Sequence, residues 1–198
     1  MFMKKSAATR QTILNKAFEL IYVNGYQSAS VDQIIAETEV TKGAFYYHFK
    51  SKEDMGLAVI REVMQENMRS GLIQPLMDSP DPIEAIYTMM SDLLLSNPFL
   101  QLKYGCPTYN LIQEMAPLNE QFNTELSEIM FTIKDTMFAA LEKAKSEEKI
   151  NINTDSSGVA DFVMAGYGGI RIIGKLSQNK DPYTSYLKQL KLYLEALR

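Results

Sequence analysis

Between Val31 and Lys52 the chain reads VDQIIAETEVTKGAFYYHFKSK, and few folds accommodate such a stretch. Val31, Ile34 and Ile35 repeat at helical spacing, and Val40, Phe45 and Phe49 do so again after a short break. Two very short helices therefore follow one another across a tight turn. Each has one apolar face to bury, which leaves a polar face rich in Thr, Lys, Tyr and His in water. A pair of short helices with one polar face to spare is the layout of a helix-turn-helix, whose second helix enters a major groove.

The residues on that free face suit DNA. Gly43 and Ala44 carry little side chain, so the start of the second helix approaches a groove closely, its free N–H groups and Lys42 meeting phosphate or base edges. Tyr46, Tyr47 and His48 offer hydroxyl and imidazole groups to phosphate, and Lys52 adds charge at the next helix start. Ser30 and Thr41 complete the expected contact set. The net charge of −4 argues against nucleic acid only if it is spread evenly. It is not: residues 1–52 carry seven Lys/Arg against four Asp/Glu, whereas 53–198 carry 13 against 20. The first segment is the phosphate-facing end.

Helical spacing continues along the whole chain, and no segment alternates with period two between turn residues. The expected fold class is all-α, with about nine helices: a three-helix helix-turn-helix domain over 1–52, and a helical ligand-binding and dimerisation domain over 53–198. A long helix over 51–77 links them. The first helix spans roughly 6–24 and ends at Gly25 in the left-handed cap conformation. Ser30 with Gln33, and Ser51 with Asp54, form capping pairs. Pro75 and the Asp78 to Pro82 turn stop the linking helix. Further helices are expected over 82–96, after Pro107, over 118–149, over 156–177 capped by Asp155 or Ser156, and over 182–197 capped by Asp181.

Several classes of chemistry are excluded at this stage. One cysteine, Cys106, and one histidine, His48, allow neither an internal disulfide nor a metal cluster, and no cofactor is expected. The absence of a cationic leader and of a long apolar run predicts a cytoplasmic protein without membrane contact. Gly169 to Lys175 has the spacing of a phosphate-binding loop, but Leu176 stands where Ser or Thr is required and the intervening residues follow a helical pattern. No nucleophile has its base nearby, so an enzyme is not expected.

Three sets of residues, Gly25-Tyr26, Ile35-Ala36 and the run from Val40 to Glu53, together resemble the tetracycline-repressor (TetR) family of bacterial transcription regulators. Ala44 replaces a common Ser or Thr, and Glu39 stands in the turn where the family usually has Gly. The resemblance implies a dimeric repressor of palindromic operator DNA whose C-terminal half binds an unknown small-molecule effector. Gly105 to Met115 is also similar to a Gly-Cys pattern of one subgroup, some of whose members sense electrophiles or oxidants through the cysteine. For that subgroup Lys175 matches a lysine near the thiol, which would make Cys106 more acidic.

Inward faces of the C-terminal half propose a pocket from Met89, Leu93, Tyr109, Gln113, Phe131, Met164, Tyr167 and Arg171. Arg171 lies in an apolar run, so it pairs with an acid, faces an anionic ligand or reaches solvent. Phe162, Gly166 and Ile170 on one helix, and Leu187, Leu190 and Leu194 on the last, repeat at i, i+3, i+4; the resemblance makes them the homodimer's four-helix bundle. The competing readings are a ligand-independent activator or architectural protein, and a small-molecule-binding protein or enzyme that retains a helix-turn-helix.

Overall fold

The computed structural model describes residues 2–198, with side chains from residue 6 onward, and every regular element among them is helical. We number nine helical segments: α1 (Phe2–Asn24), α2 (Val31–Thr38), α3 (Lys42–His48), α4 (52–78), α5 (82–96), α6 (Pro107–Met115), α7 (Glu120–Ser146), α8 (Ser156–Ser177) and α9 (Asp181–Glu195). None is long and apolar enough to cross a membrane.

Local chemistry sets most boundaries. Gly25 adopts φ +84° and donates its N–H to the Ile21 carbonyl at 2.9 Å, closing α1. Ser51 Oγ accepts the Asp54 N–H, and the Asp54 carboxylate reaches back to the Lys50 N–H, which starts α4. Asp81 takes the N–H groups of Ile83 and Glu84 ahead of α5, and Asp155 takes that of Gly158 ahead of α8.

Four boundaries depart from the sequence expectation. The last helix begins at Asp181, which is thus inside it and not its cap; the Asp181 N–H donates to Asn179 Oδ1, and the helix ends at Glu195. The first helix starts at Phe2, not near Ser6. The helix expected over 118–149 is shorter, because Asn119 Oδ1 accepts the N–H groups of Gln121 and Phe122 and so marks an N-terminus. Pro75 does not stop α4, which runs to Asp78. Its backbone widens into π turns over Ile60–Met64 and Arg69–Ile73, and the Gln74 N–H reaches the Arg69 carbonyl. That looser spacing just ahead of Pro75, with side-chain-free Gly71 four residues before it, accommodates the ring.

The chain packs as two compact units. The first takes the residues up to Asn67 together with Pro107–Glu128; the second takes Met68–Cys106 and Ile129–Arg198. Helices α4 and α7 thus contribute to both, so the packing division differs from a cut at residue 52. In the first unit Ile13, Leu14, Ala17, Ile34, Phe45, Phe49, Met55 and Phe122 form the core. In the second, Ile83, Ile86 and Leu94 are buried with Val163, Leu187, Leu190 and Leu194.

Candidate nucleic-acid interface

Seven residues are too few for a helix to persist by propensity alone. Caps and one buried face hold α3 instead. Thr41, with extended backbone, accepts the Ala44 N–H at 3.2 Å, and the Phe49 N–H closes the other end on the Phe45 carbonyl at 2.9 Å. Phe45 and Phe49 are fully buried with ring centroids 5.6 Å apart. Ser30 caps α2 in the same way, accepting the Gln33 N–H at 3.1 Å. Between the two helices Glu39 adopts φ +55°, a left-handed conformation that costs a residue with a Cβ about 1–2 kcal/mol.

With the apolar face buried, the rest of α3 points outward. Tyr47 is 79 % exposed and Tyr46 49 %. Ser30, Thr41, Lys42 and Gly43 are also exposed, and Ala44 and His48 are half-buried. Lys42 Nζ lies 3.0 Å from Asp32 Oδ1, but both side chains stand in water, and such a pair yields easily to phosphate. Nothing lies within 4 Å of the position a Cβ on Gly43 would occupy. Its own protein gives this helix no reason to prefer glycine there.

Lys52, expected to add charge at the start of α4, is also tied into its own unit. It is half-buried, donates Nζ to the Gln27 carbonyl at 2.9 Å and sits 4.6 Å from the Tyr26 ring centroid. Burial pushes its pKa down. The same turn is held by Glu114 on α6, a residue whose role no local pattern announces: it accepts the N–H groups of Tyr26 and Gln27, each at 2.8 Å. Burial, then Glu53 and Glu114, push the Tyr26 phenol up to about 12. Arg10 of α1 is another unforeseen anchor. It pairs with Glu62 on α4, donates to the His48 carbonyl at 3.0 Å and lies 4.4 Å from the Phe49 ring centroid. Long-range bonds of this kind leave no periodic trace in a sequence. Burial and Arg10 hold His48 below its ordinary pKa of 6.5.

The expected effector residues do not form one group. Tyr109 and Gln113 belong to the first unit; Met89, Leu93, Cys106, Phe131, Met164, Tyr167, Arg171 and Lys175 belong to the second. Phe131 and Lys175 are exposed, Leu93 and Met164 half-buried, and Met89, Cys106 and Tyr167 buried. Arg171, not Lys175, reaches the corner before Cys106, donating Nη2 to the Gly105 carbonyl. Of the expected dimer residues, Ile170, Leu187, Leu190 and Leu194 are buried within the protomer's own second unit, and Gly166 lies against Tyr186. Phe162 is exposed, with Ile172, Ile173 and Leu176 further along α8 and Leu192 on α9.

The sequence profile of bacterial regulatory proteins of the tetR family matches residues 13–59, and that of the tetracyclin repressor-like C-terminal domain matches residues 82–190. An uncharacterized HTH-type transcriptional regulator of Lactococcus lactis subsp. lactis is 28 % identical over 195 residues, covering 94 % of this chain and 93 % of that one. The HTH-type transcriptional repressor DhaR of a Mycobacterium species is 26 % identical over 179 residues, 90 % of this chain and 88 % of its own. Among solved structures, a transcriptional regulator from Cytophaga hutchinsonii superposes with a TM-score of 0.87 at 20 % identity, covering 98 % of this chain and 96 % of the other. That likeness concerns the fold.

Proposed function

We propose that this chain, which belongs to the TetR family of bacterial regulatory proteins, is a cytoplasmic, dimeric repressor that reads a palindromic operator and lets go when an effector binds or Cys106 is modified. DNA-binding regulation through the helix-turn-helix is the family's property; the oligomer, the operator and the release signal are our reading. The observation that carries it is the outer face of α3, where Thr41, Lys42, Gly43, Tyr46 and Tyr47 are exposed and Gly43 borders open space. Glycine there weakens a free helix and favours close docking against a groove. Repression is supported by DhaR, whose name gives that role.

The exposed apolar side chains of Phe162, Ile172, Ile173, Leu176 and Leu192 supply the dimer surface, with the stripe of buried leucines behind them. Two heads so joined address half-sites about 34–36 Å apart. Release is linkage: the effector favours a conformer whose heads no longer match that spacing, by as much as its affinities for the two conformers differ. Helix α4, shared by both units, is the connecting lever.

Sequencing the genomic fragments that the purified protein retains at physiological salt tests the reading. A shared palindrome is the expected result; retention without common sequence overturns sequence-specific repression, and no retention overturns DNA binding. Light scattering at micromolar concentration checks the dimer, and a monomer refutes it. Unchanged release by oxidant in Cys106→Ser removes the cysteine from the mechanism.

A further inference from the structure

Three fates are open to an arginine set in an apolar run: an acid, the solvent, or a ligand. Arg171 is only 2 % exposed, and its hydrogen bonds are to backbone carbonyls, not to a carboxylate. Nη2 donates to Gly105 and, at 3.4 Å, to Gln101. Nε and Nη1 have no acceptor among the described residues, and neither has the Tyr183 hydroxyl, which is buried beside them. A guanidinium cannot escape burial by losing its proton, so its charge and its idle N–H groups call for an anion.

The surroundings are shaped to hold these groups in place. Gly105, at φ +77°, ends the loop whose carbonyls accept from Nη2. Arg171 and Gly174 share a face of α8, and a Cβ at Gly174 would overlap the Tyr183 ring, so that glycine seats the ring. The guanidinium carbon is then 5.6 Å from the ring centroid. Burial pushes the Tyr183 phenol up, the facing Arg171 guanidinium draws it back down, and Cys106 adds a smaller upward push.

We propose that Arg171 and Tyr183 bind the carboxylate of a small monoanionic effector within the second unit. This rests on the reading of the protein as an effector-released regulator. A single buried cation is balanced by a single negative charge; a dianion such as phosphate would reverse the imbalance. A carboxylate has two oxygens with several lone pairs, enough to accept from one of the idle guanidinium N–H groups and from the phenol together, which a halide cannot do with direction. The same guanidinium holds the 101–105 loop, so an anion competing for it acts on the segment that leads into Cys106 and α6.

The test measures melting temperature and retention of genomic DNA on one preparation of the full-length protein. The probes are sodium formate, acetate, butyrate, octanoate and benzoate, each against its amide and against sodium chloride at equal ionic strength. At least one carboxylate is expected to raise the melting temperature saturably where its amide does not. Tyr183→Phe, which keeps the ring, should weaken that binding about tenfold or more, and Arg171→Lys should abolish it. No effect beyond sodium chloride from any carboxylate, or unchanged affinity in both variants, overturns the proposal. A protein that retains DNA yet ignores every carboxylate refutes the anion site alone. One that is stabilised by a carboxylate but retains no DNA supports the site and refutes the regulator reading.

Discussion

Helices α3 and α8 each carry a residue that the packing of their own unit does not explain, and they do so in opposite senses. Gly43 faces open space, where alanine makes a better helix. Arg171 faces the interior, where leucine packs without an idle donor. The first mismatch is relieved by a body that docks from outside, the second by one that enters. Burial by itself sorts neither: Tyr183 and Phe45 are equally buried, yet only the tyrosine carries an unpartnered polar atom. Function shows where residue type and surroundings disagree.

The contrast holds only if α3 owes its existence to its buried face. Phe45→Ala is expected to destabilise the protein by about 3–5 kcal/mol in urea titrations, and a loss under roughly 1 kcal/mol would mean that the caps alone hold the helix. Glu114→Ala removes the acceptor for two backbone N–H groups in the turn before α2; a loss of about 1.5–3 kcal/mol is expected, with weaker DNA retention from a loosened head. Gly43→Ala sharpens the comparison most directly. It should raise stability by up to about 1 kcal/mol while weakening operator affinity about tenfold, and a variant that gains stability without losing affinity breaks the argument for close docking.

The smallest effect is one of pH. His48 has a folded-state pKa below its ordinary 6.5, so the unfolded chain takes up a proton before the folded one does. Its contribution to stability is complete above pH 6.5 and is lost as pH falls from there through the folded value. Replacing it, as in His48→Gln, should flatten that part of the stability profile; an unaltered slope would show that other groups produce it.

Elements with short-range causes were legible in the sequence. Gly25, Ser30, Ser51 and Asp155 act within four residues of themselves, and the structure has each in its expected cap. Helices 82–96 and Ser156–Ser177 match to the residue. Long-range causes were not legible. Periodicity marks an apolar face but not what covers it: the spacing of Leu187, Leu190 and Leu194 suits a partner's helix and the protomer's own core alike, and the protomer buries all three. Arg171 stands out in its apolar run, but only its surroundings choose among its three fates. Nothing in the neighbours of Lys52 announces its bond to Gln27, 25 positions away.

Glu39 gives the left-handed turn between α2 and α3 an evolutionary reading. Glutamate and glycine codons differ by a single base, so the relaxed turn is one mutation away from this chain. Glu39→Gly should recover about 1 kcal/mol without altering any side chain of α3. The reading head therefore has a reserve of stability within immediate mutational reach, available to compensate a costly change elsewhere in the head while the DNA-facing residues stay as they are.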